Sequence, residues 1–313
     1  MLPLKRRLEI PRKPPVSQTP LPFPLWARPG RSATGPADPA SASFQAGAGL
    51  ALVGLALSAG GPAAGVWLDR LALSAAASSL ATAGRLEDEA QIRDARQLTR
   101  PGDDPGPPGR IYAFWRRLAG RPPSIDPADI IAAATLAGVR ADPAFERVAE
   151  AAGAALASPA PALAAAADAA AACLELRPDF PALAPWTADA VLALRLRWPV
   201  AVPLLATGLG RSWTRLADPA ECARAYARVA AEACDRQREI ARRAETLLRV
   251  AGKLRAKGAP AVVAALCAAD ALTPARLPGG LSDRAGRRLF ERLVRLGAVR
   301  ELSGRDTFRI YGL

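Results

Sequence analysis

The chain has 313 residues and a formal net charge of +13, so it is long enough for one large or two modest domains. It contains no histidine, which excludes Ser-His-Asp and Cys-His nucleophile pairs, histidine-based zinc sites and histidine proton shuttles. Lysine occurs at only four positions, so nearly all of the 42 basic side chains are arginine, and the arginine count alone says little about partners.

The positive charge is concentrated at the two ends of the chain. Residues 1–40 carry a net charge of +5 and residues 251–313 carry +7, whereas residues 41–250 carry only +1. Clustered cations favour polyanions because each contact releases counterions. We therefore predict an N-terminal tail, a neutral body and a C-terminal domain with these boundaries, and expect any nucleic acid to be bound by an end.

Proline dominates the first 40 residues, which hold ten of the 30 prolines, interleaved with basic side chains. Because proline removes backbone donors that helices and strands need, segment 1–40 is predicted to be a disordered basic tail. The four cysteines, Cys173, Cys222, Cys234 and Cys267, form no C-x-x-C pair. We expect buried, reduced thiols, no metal and a cytoplasmic location.

The charge-free stretch 44–68 has the length of a membrane span, but Gly60-Gly61-Pro62 interrupts it. It therefore predicts two packed helices, and no membrane partner is expected. From about residue 43 to residue 250, apolar-periodic runs alternate with proline and glycine and predict an all-α body. The predicted helices are 43–59, 63–84, 87–97, 109–119, 127–138, 143–157, 160–176, 187–198 and 219–250.

The helix 219–250 carries an apolar stripe with steps of three and four residues. Core packing is the default interpretation of such a stripe, and a homodimer through this helix stays open as an alternative. The stripe consists of Cys222, Tyr226, Val229, Ala233, Ile240, Ala244 and Leu247.

Three helices are predicted after residue 258. The first covers 260–271, Thr273-Pro274 begins a short second helix, and Ser282 caps a third that ends at Gly297. Two alternating runs, 298–302 and 307–311, then flank a tight turn and predict a β-hairpin. This order is that of a winged helix-turn-helix, so the predicted fold class is an all-α, multi-helix body with a C-terminal winged helix-turn-helix.

The third helix of this module separates two kinds of side chain. Leucines and a phenylalanine gather on one face, and arginines gather on the other with Glu291 among them. Arginines on such a face neutralise phosphates or bond the O6 and N7 atoms of guanine, and Arg305 at the hairpin turn could reach the adjacent backbone. The predicted DNA-binding residues are Arg284, Arg287, Arg288, Arg295 and Arg305, and DNA is the predicted partner.

Two alternatives to DNA binding stay open. Winged helices also serve as protein-docking modules, so a helical protein-interaction module without DNA binding is the second hypothesis. The third is a metal-dependent enzyme that uses the acidic cluster 87–104, which includes Glu87, Asp88, Glu89, Asp94, Asp103 and Asp104. Neighbouring arginines favour paired surface ions there. We expect no enzyme and, since no Walker loop or G-x-G-x-x-G is present, no cofactor.

Several segments of the chain resemble a bacterial family known as domain of unknown function 1403. They are Gly84-Arg85-Leu86-Glu87-Asp88-Glu89-Ala90, the run from Pro101 to Arg110, Ala201-Val202-Pro203-Leu204-Leu205, and the ending from Gly297 to Leu313. The resemblance runs from about Trp26 onward and implies no activity and no catalytic residues. The ending is also similar to those of other bacterial proteins that carry a DNA-binding helix-turn-helix.

Overall fold

A computed structural model describes residues 20, 22–30, 38–100, 102–208, 213–303 and 307–313. Most of the predicted tail 1–40 lies outside these residues. The described part is predominantly α-helical, as predicted, and its only strands form one short hairpin near the end. The α-helices are α1 Pro39–Ala59, α2 Ala64–Thr82, α3 Glu89–Leu98, α4 Gly106–Ala119, α5 Pro127–Leu136, α6 Ala144–Ala157, α7 Ala162–Leu176, α8 Leu183–Arg195, α9 Leu205–Gly208, α10 Pro219–Ala251, α11 Ala259–Ala268 and α12 Asp283–Arg295.

Acid-proline pairs start two of the long helices. The Asp38 side chain accepts hydrogen bonds from the backbone N–H groups of Ala40 and Ser41 at the start of α1. Asp218 accepts one from Ala220 at the start of α10. Both caps satisfy donors that a first helical turn leaves unpaired. Asp126 also precedes a proline at the start of α5, but its side chain makes no cap hydrogen bond.

Two parts of the body depart from the predicted helices. Helix α8 begins at Leu183 rather than at residue 187, because Pro185 fits within a first turn, where no backbone donor is needed. The four-residue α9 and the 3-10 helix Trp213–Ala217 were not predicted. Elements of four or five residues are too short to show helical periodicity.

The stripe of the longest helix lies in the interior. All seven stripe residues are buried within the chain. Helix α10 packs along α1 and also contacts α2, α7 and α11. Trp67 of α2 is buried, and its Nε1 donates to the backbone oxygen of Ala233, 3.0 Å away. A dimer through α10 would therefore have to use its other faces.

Helix α1 carries an apolar face that the described residues leave uncovered. Phe44 and Leu55 are 62% and 64% exposed, and the Phe44 ring lies 5.7 Å from the exposed ring of Trp26. By length and composition, α1 is the one described helix that could cross a membrane. The predicted break after it is present, with Gly60 in a left-handed conformation at its C-terminus.

The C-terminal segment has the predicted order with shorter elements. The second helix is a single 3-10 turn, Pro274–Arg276, and Thr273 makes no cap hydrogen bond. The strands are β1 Arg300–Glu301 and β2 Tyr311–Gly312, not 298–302 and 307–311. They are short because Phe308 has a left-handed backbone, and because the Ser303 hydroxyl, in place of a strand carbonyl, accepts the Ile310 N–H.

Candidate nucleic-acid interface

Helix α12 is anchored to the C-terminal segment by one apolar face. Ser282 caps it by accepting a hydrogen bond from the Ala285 N–H, and Leu289, Phe290 and Leu293 are buried. These three residues recur at helical spacing, so they place one side of the helix against the core. The opposite side is left to solvent.

The predicted DNA-binding arginines of α12 lie on this solvent side. Arg284, Arg287, Arg288 and Arg295 are all exposed. Arg287 pairs with Asp283 of its own helix, at 2.6 Å between Nη2 and Oδ2. The side chains of Arg284, Arg288 and Arg295 make no ion pair or hydrogen bond with another described residue, so their guanidinium groups are available to a partner. Arg305 lies outside the described residues.

The hairpin that follows α12 packs against it and against the strand position after α11. Tyr311 stacks on Phe290 with 4.3 Å between ring centroids. Leu272 and Tyr311 exchange backbone hydrogen bonds of 2.8 and 2.9 Å. Residue 272 therefore adds a third strand position to the two-stranded sheet, between the first and second helical elements of the segment.

Sequence reasoning missed Phe308 as a candidate contact. Its side chain is 75% exposed and its backbone φ is +55°, in the left-handed region that bulky residues avoid. An exposed aromatic residue in a strained conformation beside a hairpin turn can insert into a groove or stack on a base. A single phenylalanine between polar residues gave no periodic signal that singled it out.

The C-terminal segment is fastened to the body by a buried charged cluster. The Asp270 carboxylate forms ion pairs with Arg70 of α2 and Arg93 of α3. The backbone N–H of Asp270 donates a hydrogen bond to the Asp69 carboxylate, 3.2 Å away. Arg70 also donates to the backbone oxygen of Leu313. All four charged side chains are less than 10% exposed. Because removal of one partner would leave a buried charge, the cluster fixes how the segment sits on the body.

The acidic cluster 87–104 does not converge on one point. Its side chains have separate partners: Glu87 pairs with Arg85, Asp88 caps α3 at Gln91, Glu89 lies 3.9 Å from Arg236, and Asp104 pairs with Arg110. Asp94 is buried and Asp103 is exposed. In the described part of the chain, no three cysteine or acidic side chains are grouped to hold a metal. The geometry thus lends the metal-enzyme hypothesis no support.

The four cysteines are buried and unpaired by disulfides. Burial raises the pKa of the Cys267 thiol to about 11 and that of Cys173 to about 12. Reactive cysteines need a stabilised thiolate, and these environments disfavour the charge. They are structural side chains.

Asp189 is a buried carboxyl with a strongly altered titration. Burial raises its pKa to about 8, against the opposing effect of hydrogen bonds from the backbone of Leu204 and Leu205 and from the Tyr226 hydroxyl. Its contacts hold the segment that leads into α9, so its role is structural.

Comparison with known proteins finds one family. A family model described as "Protein of unknown function (DUF1403)" matches residues 15–313. No curated protein and no solved structure matches the chain.

Proposed function

The chain belongs to the DUF1403 family of proteins of unknown function, and from its geometry we propose that it binds duplex DNA through a C-terminal winged helix-turn-helix. The observation that carries the proposal is the solvent side of α12, where four exposed arginines lie opposite a buried apolar face. A helix of this kind can enter the major groove with one face held by its domain.

The order of elements in the C-terminal segment supports the proposal. A helix, a strand position at Leu272, a short helical turn, α12 and a hairpin follow one another, and Leu272 pairs with the last strand. The connection before α12 is six residues long and contains Gly279 and Gly280 in left-handed conformations. The hairpin lies beside α12 through the stacked rings of Phe290 and Tyr311.

Electrostatics support contact with phosphates. Of the four α12 arginines proposed to bind DNA, only Arg287 has a carboxylate partner in the described part, and that pair is exposed and weak. The Arg292 guanidinium donates a hydrogen bond to the backbone oxygen of Lys253, so we assign this arginine a structural role and not a contact with DNA. The exposed Phe308 would extend the same surface to the neighbouring groove, and Arg305, predicted from the sequence to bind DNA, lies outside the described residues. A cytoplasmic location, where the thiols stay reduced, belongs to the same proposal.

Fluorescence anisotropy with a labelled duplex of mixed sequence tests the proposal across a salt series. About four neutralised phosphates should give a log–log slope near −3.6. In the double variant Arg284→Ala, Arg288→Ala, the slope should shrink by about two, and affinity should fall at least about tenfold at low salt. A slope near zero in the unmodified chain contradicts DNA binding.

The matched control is Arg140→Ala, Arg147→Ala. Both of these arginines are exposed on the body and make no side-chain ion pair or hydrogen bond with other described residues, so the control removes the same charge at a different place. It should leave the affinity nearly unchanged. If both double variants lose affinity equally, DNA binding depends on the net charge of the chain, and the solvent side of α12 is not the specific contact surface.

One observation favours the second hypothesis, a protein-interaction module. The exposed apolar face of α1 carries Phe44 and Leu55, next to Trp26. Apolar surface of this kind often marks protein contacts. Three results together would favour this hypothesis. The unmodified chain would retain a protein partner, the double variant Phe44→Ser, Leu55→Ser would lose that partner, and the unmodified chain would show no affinity for DNA.

A further inference from the structure

A cavity of about 530 Å³ lies between the helical body and the C-terminal segment. Its walls combine α2, α3 and α4 with the chain around the 3-10 turn. Three arginines from three different elements line it: Arg96 of α3, Arg116 of α4 and Arg276 of the turn. The volume falls in the range of small-molecule sites, about 300–1,000 Å³.

Two carboxylates also line the cavity, and both have partners. Asp69 lies 2.9 Å from Arg116, and Asp270 is held by the buried Arg70 and Arg93. The charged residues that line the cavity are therefore three arginines and two carboxylates, a net charge of +1. Asp270 is compensated separately by Arg70 and Arg93, which do not line the cavity.

Three donors in the walls are not used up by the protein. Arg96 makes no side-chain ion pair or hydrogen bond with the other described residues. Arg276 donates only to the backbone oxygens of Gln97 and Thr99, at 3.4 and 3.2 Å. Tyr112 is 4% exposed, and its hydroxyl has no hydrogen-bond partner in the part of the chain that the structure describes. Its oxygen is not among the fully buried polar atoms that lack a partner, so it is accessible at the cavity wall and can donate to a bound ligand.

We propose that this cavity binds a small phosphorylated molecule whose phosphate is held by Arg96, Arg276 and the Tyr112 hydroxyl. The planar guanidinium group bonds phosphate oxygens in pairs, and the hydroxyl adds a third direction for a tetrahedral anion. Arg96 and Arg276 have no carboxylate partner among the described residues, so their two charges would offset a phosphate dianion, and the volume leaves room for the rest of a small molecule. The proposal goes beyond DNA binding and does not depend on it.

Isothermal titration calorimetry on the full chain tests the proposal with inorganic phosphate and pyrophosphate, at constant ionic strength. The unmodified chain should bind pyrophosphate at one saturable site. Arg96→Ala and Arg276→Ala should each weaken binding about tenfold or more, and Tyr112→Phe several-fold, because each removes a hydrogen bond to a charged oxygen. Succinate should bind more weakly than pyrophosphate.

The controls separate this site from the DNA surface. Pyrophosphate affinity should be unchanged in Arg284→Ala, Arg288→Ala and in Arg140→Ala. Loss of binding in the α12 variant would assign the anion to the DNA surface and overturn the proposal. No saturable binding by the unmodified chain, equal binding of succinate, or unchanged binding in Arg96→Ala would also overturn it. Arg96→Ala decides the matter if Arg276→Ala lowers the melting temperature, since Arg96 is exposed and supports no described contact.

Discussion

Arg93 and Asp270 are 177 residues apart in the chain and form a buried ion pair, with 2.6 Å between Nε and Oδ2. The same carboxylate also receives Arg70. One carboxylate of the C-terminal segment therefore pairs with one arginine of α2 and one of α3. Its loss would leave both guanidinium groups in low dielectric without an anion.

We predict that Asp270→Ala lowers the free energy of unfolding by about 3–5 kcal/mol, because two buried arginines lose their partner. Urea unfolding followed by circular dichroism measures the loss. The matched control is Asp283→Ala, which breaks the exposed pair with Arg287 and should cost less than about 1 kcal/mol. Equal losses in the two variants would show that the cluster is not effectively desolvated.

The close approach of α2 to the end of α11 gives a second prediction. A Cβ atom added at Gly65 would lie 2.7 Å from the backbone oxygen of Ala268. Gly65→Ala should therefore push the two helices apart and destabilise the fold by about 1–3 kcal/mol. Gly153, inside α6, has nothing within 4 Å of the same position, so Gly153→Ala should stabilise by up to about 1 kcal/mol through helix propensity. Thermal melts of both variants test the contrast in sign.

Asp189 makes stability depend on pH in a window where little else titrates. Its folded pKa is raised to about 8 by burial, so its contribution is complete below about pH 4 and is lost as the pH rises toward 8. The chain has no histidine to obscure this interval. We expect the free energy of unfolding to fall by about 2–3 kcal/mol between pH 5 and pH 7.

Urea titrations at the two pH values measure that fall, and Asp189→Asn provides the comparison. The amide keeps an oxygen for the Leu204 N–H but cannot ionise. The variant should therefore show a flatter pH dependence than the unmodified chain, whatever its absolute stability. A parallel fall in both proteins would assign the effect to another group.

The thiols give a fourth prediction. All four cysteines are buried, and burial raises the pKa of each. In the folded chain, a thiol-specific colorimetric reagent should react with none of them within minutes at pH 8, and with all four in denaturant. Ser43→Cys, at an exposed position of α1, should add one fast-reacting thiol. A fast thiol in the unmodified chain would show that one of these sites opens readily.

Most helices could be predicted from the sequence because the spacing of apolar residues along a helix is a local pattern. The stripe of α10 and the apolar face of α12 follow from helical spacing, and both faces are buried. The short α9 depends instead on Asp189, which bonds the backbone of Leu204 and Leu205 from another helix. Nothing in the sequence around residue 205 records that contact.

The two candidate sites differ in the same way. The arginines of α12 lie within twelve residues of one another, so periodicity alone put them on one face. The cavity draws on Asp69, Arg96 and Arg276, which only the tertiary fold brings together. The role of Asp270 could not be predicted from the sequence, because it depends on two arginines that are 200 and 177 residues away.

The Asp270 cluster bears on how this protein would be cut into pieces. A fragment ending near residue 250 would leave Arg70 and Arg93 without their anion and uncover α2 where α11 packs. Conversely, a fragment that starts near residue 250 would leave Asp270 exposed to water without its two arginine partners. The boundary near residue 250 that the charge distribution suggests therefore separates regions of different charge, but it does not mark an independent folding unit. We expect the described chain to melt cooperatively as one unit.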